Sequence, residues 1–160
     1  MATVTEQQWA DAIIAALEDQ FSAECPLIGV YSLRDTGGTI HDQLNDQHAL
    51  LLRPGDARLA QERRVLDRQA VEVDWVISVA VPTNTPDAEL VLLTRARRIA
   101  TLVRSGTGKR DRLERGNRWG LADAVGDADA PEIPEWDDID LHGYVLRPVR
   151  WRQTGHFARD

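Results

Sequence analysis

At 160 residues, with 42% hydrophobic and 28% charged side chains, the chain has the size and balance of one globular core. It is too short for a second core of useful size and too apolar to stay disordered along its length. Its formal net charge of −7 argues against a protein that wraps nucleic acid, since that task needs a basic face.

Thr5 and, three residues on, Gln8 form a capping-box signature. Trp9, Ile13, Leu17 and Phe21 then recur at helical spacing, widened by Ala10, Ile14 and Ala16, which predicts an amphipathic helix over about 6–23, ended by Pro26. Leu27 to Leu33 is short, apolar and partly β-branched, as a strand would be, and Asp35-Thr36-Gly37-Gly38 turns the chain. A polar stretch, His41 to His48, leads into a second strand at Ala49 to Arg53, expected to be buried on both faces. Residues 56–68 are charged with scattered apolar positions, and read equally as a loop or as an exposed ribbon.

The clearest strand follows. Val71, Val73, Trp75, Ile77, Val79 and Val81 fall on one face, and Glu72, Asp74, Ser78 and Ala80 on the other, with Val76 as the large apolar exception. The first face is expected to be core and the second wet, because an unpaired carboxylate is costly to bury. After Pro82, Thr85-Pro86-Asp87 reads as an N-cap, a first-turn proline and an acid at the positive dipole end. The helix so begun carries Leu92, Ala96, Ile99, Leu102 and Val103 on its apolar stripe and is expected to end at Gly106. A long charged excursion over about 105–138 comes next, with a short strand expected near Trp119. Tyr144 to Trp151 closes the order as a strand that Pro148 restricts to an edge or a bulge. The fold class is therefore α+β in one domain: a mixed or antiparallel sheet of about four strands with two helices packed on one side.

The charges are segregated. Arg95, Arg97, Arg98, Arg104, Lys109, Arg110, Arg112, Arg115 and Arg118 crowd the middle, and the acids from Asp123 to Asp140 follow with no Lys or Arg among them. The single Cys25, near the end of an apolar helical stretch, reads as a small hydrophobe. Trp9 and Trp75 lie on core stripes; Trp119, Trp136 and Trp151 suit an interface as well as a core.

Motifs that carry chemistry are incomplete. Ser105 to Arg110 is not a phosphate loop, because the required first glycine is Val103 and the residue after Lys109 is Arg110. It reads better as a helix cap and basic turn. His41, Asp42, Asp46 and His48 match no structural zinc spacing and read as solvated loop residues, and the acids at 123–140 lack the pattern of a calcium loop. A nucleophile elbow is missing as well. The expectation is a protein without catalytic, cofactor or metal residues. No apolar run approaches the roughly 20 residues of a membrane-crossing helix, and the stretch Met1 to Glu6 has no signal-peptide character. It is expected to be made in the cytoplasm and kept there or in a particle assembled there.

The order of elements, carried best by Val71-Glu72-Val73-Asp74-Trp75-Val76-Ile77-Ser78-Val79-Ala80-Val81 and the helix after it, resembles the tail terminator and tail-completion proteins of long-tailed bacteriophages. The approach Arg63-Arg64-Val65-Leu66-Asp67-Arg68 and the late strand ending in Trp151 belong to the same pattern, although the acidic excursion is longer than the family's. The resemblance implies a homo-oligomeric, hexameric ring in the virion that caps the tail tube, meets the head-tail connector protein and lets DNA pass without specific binding. Glu72 and Asp74 are then candidates to face the lumen, where like charge keeps DNA from sticking. Charge segregation suggests a head-to-tail contact between Arg97, Arg98, Arg110 and Arg112 of one subunit and Asp127, Asp129, Asp137 and Asp138 of the next, with Trp136 as apolar anchor. Pairing of the same charges within one subunit is the equal alternative. A monomeric adaptor or regulator, and a small hydrolase without a visible motif, are the other function classes.

Overall fold

The computed structural model describes residues 2–31, 44–59, 68–105 and 116–158. Helix α1 spans Glu6–Phe21 and opens with the expected reciprocal cap: the Gln8 N–H donates to Thr5 Oγ1 at 3.1 Å and the Thr5 N–H to Gln8 Oε1 at 3.0 Å. It stops short of the expected end, the Cys25 N–H closing a last turn onto the Phe21 carbonyl at 2.8 Å, so Pro26 follows the helix without ending it. Helix α2 spans Ala88–Arg104 and begins later than Thr85-Pro86-Asp87 suggests. The Thr85 N–H is spent in a turn on the Pro82 carbonyl at 3.0 Å, and Asp87 takes the N-cap place in a left-handed conformation, φ 53°, without a side-chain cap bond. Its last turn is held by Ser105, whose Oγ donates to the Thr101 carbonyl at 2.6 Å.

The strands are β1 (Leu27–Val30), β2 (Ala49–Leu59), β3 (Arg68–Pro82) and β4 (Tyr144–Ala158), laid side by side in that order. β1 runs parallel to β2, and both other pairs are antiparallel, so the sheet is mixed. β2 bulges between Pro54 and Ala57 and continues to Leu59, which settles 56–59 as ribbon; residues 60–67 lie outside the described residues. β3 and β4 pair without a break from Arg68↔Ala158 to Pro82↔Tyr144.

Both helices lie on one face of this sheet. Trp9, Ile13, Leu17 and Phe21 of α1 and Leu92, Ala96, Ile99 and Val103 of α2 share one core with Leu50, Leu52, Val73, Trp75, Ile77, Val79, Val149 and Trp151. Trp9 meets Trp75 edge-on at 5.2 Å and 69°, a geometry that sets the positive ring edge against the negative ring face. Gly155 makes room for it, since a Cβ there would run into the Trp9 ring.

The opposite face corrects the sequence reading. Its upper half is not wet: Ser78 and Ala80 are fully buried, because the segment around Ile139 and Leu141 folds back over Leu51 and Ala80 as a second, smaller core with Tyr31, Leu44 and Ala49. This is also why Val76 is apolar; it lies under cover at 6% exposure. Only the lower half, around Glu72 and Asp74, stays at the surface.

β4 occupies an edge, as Pro148 requires. Among the described residues no strand forms near Trp119, which sits in a turn at φ 58°; the excursion instead docks on β4 through isolated bridges, Val125↔Gly155 and Glu132↔Arg150.

Candidate protein-binding surface

What holds the excursion down is a buried polar cluster at Gln153. Its Oε1 accepts the indole N–H groups of Trp119 at 2.9 Å and Trp151 at 3.1 Å, and its Nε2 donates to the carbonyls of Asn117 and Gly126, both at 2.7 Å. Asn117 in turn donates from Nδ2 to the Leu102 carbonyl at 3.1 Å and accepts the Trp119 N–H at 2.8 Å. Every polar atom of the Gln153 amide is thereby satisfied in a site that excludes water, and β4, the excursion and the end of α2 are joined. The two indoles sit 5.7 Å apart, so Trp119 and Trp151 are core residues.

A second clamp lies under the far end of the excursion. Arg53 of β2, 5% exposed, donates to Ser78 Oγ at 2.8 Å and to Asp137 Oδ1 at 3.2 Å. Asp137 Oδ1 also accepts the Ile139 N–H at 3.2 Å. A guanidinium emerging beneath a loop needs a carboxylate there, and Asp137 supplies it with its side chain only 2% exposed.

The residue before this clamp is Trp136, and it is 78% exposed. Trp136 borders a small hollow with Arg53, Pro134, Pro148 and Arg150 on one side. On the other it borders a groove of about 470 Å³ between α2, the start of β4 and residues 135–140. The groove has an apolar lining of Leu92, Ile139, Val145 and Leu146 and a rim carrying Glu89, Glu135 and Asp140. A large indole in water on a segment pinned by a buried ion pair is the feature of this molecule that most resembles the anchor of an interface.

The other interface candidates are dispersed. Arg98 is used within the chain, 2.6 Å from Glu24 and stacked over the Phe21 ring at 4.5 Å, and Asp127 takes Arg118 at 2.6 Å. Asp138 is 87% exposed and 3.9 Å from Arg53. Arg97 and the side chain of Asp129 are exposed, with no ion-pair partner among the described residues; Arg110 and Arg112 lie outside those residues. The acids therefore meet cations mostly from the strands, not from the basic block. Glu72 and Asp74 behave likewise: Arg58 lies 2.9 Å from Glu72 and 3.5 Å from Asp74, and Arg152 lies 3.0 Å from Asp74. That hydrogen bond to Asp74 holds the Arg152 guanidinium above its usual range. The lower half of the second face is thus a ladder of both signs.

The titratable groups that depart from their usual range do so for structural reasons. Burial pushes the Cys25 thiol up, against the lowering pull of Arg95. Burial, with Arg95 in support, pulls His48 down; its Nδ1 lies 2.6 Å from Arg95 Nη1, so His48 is a packed partner of α2, not a solvated loop residue. His41, Asp42 and the glycine-rich turn at 106–110 lie outside the described residues, among which no three His, Cys, Asp or Glu gather at metal-binding distance. No described helix is long and apolar enough to cross a membrane. No protein-family model matches the chain, and no curated protein matches it in sequence.

Proposed function

We propose that the chain is a structural assembly subunit of the tail-terminator kind, which acts by binding: a homo-oligomeric ring in the virion that caps the tail tube and meets the head connector. The observation that carries this reading is the exposed Trp136, held on a segment that Arg53 and Asp137 clamp to the sheet. A preorganised aromatic loses little freedom on docking and brings a large apolar area, the usual make-up of an interface anchor. The α+β fold with its helices on one side agrees with the element order on which the resemblance rests. Glu72 and Asp74 contribute less to the proposal than their sequence suggests, because Arg58 and Arg152 offset the repulsion they would offer to passing DNA.

A monomeric adaptor is the second reading. It is favoured by the pairing of Asp127 with Arg118 and of Asp137 with Arg53, which spends inside one chain charges that a head-to-tail contact would use. Mass in solution, measured by light scattering over a range of concentration and salt, separates the two. The ring reading expects a closed oligomer for the wild type, visible as rings by electron microscopy, and a shift to smaller species for Trp136→Ala. A wild type that stays monomeric at every concentration and salt refutes the ring and leaves the adaptor.

A further inference from the structure

The groove beside Trp136 contains a piece of unfinished sheet. Along the outer edge of β4 the excursion supplies partners: the Arg150 N–H donates to the Glu132 carbonyl at 2.9 Å and the Glu132 N–H returns to Arg150 at 2.8 Å. Asp129 and Gly126 donate to the Arg152 and Thr154 carbonyls, each at 2.9 Å, and the His156 N–H reaches the Ala124 carbonyl at 2.8 Å. The outward-facing backbone groups of an antiparallel edge belong to alternate residues, so the series continues to Pro148 and Leu146. There the excursion leaves the edge. Among the described residues nothing bonds to the Leu146 N–H, the Leu146 carbonyl or the Pro148 carbonyl. The Tyr144 N–H is taken by the Leu141 carbonyl at 3.1 Å, which closes the far end.

The free stretch lies in the 470 Å³ groove, whose wall includes Tyr144 to Arg147. It has one donor and two acceptors in line, and its length suits a strand of about three to five residues. Besides Asp137, which is paired with Arg53, three exposed carboxylates, Glu89, Glu135 and Asp140, stand around it, and the wall carries one cation, Arg147. Two further polar atoms of the wall, Asp137 Oδ2 and Arg147 Nε, are buried without a hydrogen-bond partner.

We propose that this edge takes up an extended basic segment of a partner protein as an added strand, bonded to Leu146 and the Pro148 carbonyl, with its cationic side chains toward Glu89, Glu135 and Asp140 and an apolar one on Trp136. The mode is strand addition, in which main-chain bonds give affinity and alternate side chains give specificity. Pro148 has no N–H, so the added strand gains no donor beyond Leu146 and its register is limited to the groove. This inference rests on Trp136 as a binding anchor and specifies what it binds.

The test is amide hydrogen exchange by NMR on the full chain with a capped pentapeptide of alternating valine and lysine, against the same peptide with glutamate for lysine. Slowing of the Leu146 amide by about tenfold or more under the lysine peptide alone is expected, since this N–H would leave water for a strand bond. Glu135→Lys/Asp140→Lys should weaken binding roughly five- to tenfold at low salt, and Trp136→Ala should weaken it without altering the fold. Leu146→Pro should abolish it, with the melting curve checking that the variant is folded. Absence of binding at millimolar peptide, or binding that leaves Leu146 exchange unchanged, overturns the proposal whether or not the chain forms a ring. Slowing that depends on protein concentration without peptide assigns the edge to a second copy and overturns the basic partner.

Discussion

Gln153→Leu removes an amide that four groups depend on while keeping nearly the same volume. The indole N–H groups of Trp119 and Trp151, at 2.9 and 3.1 Å, lose their acceptor, and the carbonyls of Asn117 and Gly126, each 2.7 Å from Nε2, lose their donor. The two donors matter most, because a buried N–H left unsatisfied costs about 1–3 kcal/mol, whereas a carbonyl with one partner missing loses less. The added apolar surface of leucine offsets roughly 1 kcal/mol of this. A net loss of about 2–5 kcal/mol follows, a large share of a typical domain stability of about 5–15 kcal/mol. Urea denaturation followed by far-ultraviolet circular dichroism measures it, and the near-ultraviolet spectrum should weaken as the indole pair, 5.7 Å apart, loses its fixed geometry. A loss under about 0.5 kcal/mol, the size expected of an uninvolved surface change, would refute the account of this cluster as the fastening of the excursion.

Two further outcomes are expected. Arg53→Met leaves the buried Asp137 carboxylate alone and should cost about 3–5 kcal/mol, while Arg53→Met/Asp137→Leu should recover most of it; equal melting of single and double variants would show that the pair is not coupled. His48 has its pKa lowered by burial and then by Arg95, so the unfolded chain takes up its proton more readily than the folded one. Its contribution is full above the unfolded pKa of about 6.5 and is lost as pH falls through the lower folded value, so thermal melts should show a loss on acidification that His48→Gln removes.

Much of the architecture was legible because it rests on local periodicity. The spacing of Trp9, Ile13, Leu17 and Phe21, the Thr5–Gln8 cap and the apolar face formed by every second residue from Val71 to Val81 depend only on neighbours in the chain, and these reappear in α1 and β3. Pro148 likewise announced an edge strand, because a residue without an N–H is excluded from the middle of a sheet. The start of α2 departs from the cap pattern for a local reason too: Thr85 has the chemistry of a cap, but its N–H is committed to the turn at Pro82.

Tertiary structure alone decided what covers the second face of the sheet and where the charges of the excursion go. Asp137 and Asp138 are adjacent and chemically identical, yet one side chain is 2% exposed and the other 87%, because Asp137 turns inward to hydrogen-bond Arg53, 84 positions away in sequence, at 3.2 Å, whereas Asp138 approaches the same guanidinium from solvent at 3.9 Å. Gln153 gave no sign of its importance, since three of its four partners, Asn117, Trp119 and Gly126, lie 27 to 36 residues away and meet it only when the excursion docks on β4. The unpaired groups at Leu146 were equally hidden. A one-dimensional pattern reports which side chains prefer burial, but the identity of a neighbour across tens of residues is set by strand order and by where a long connection crosses back, and these carry no local periodicity.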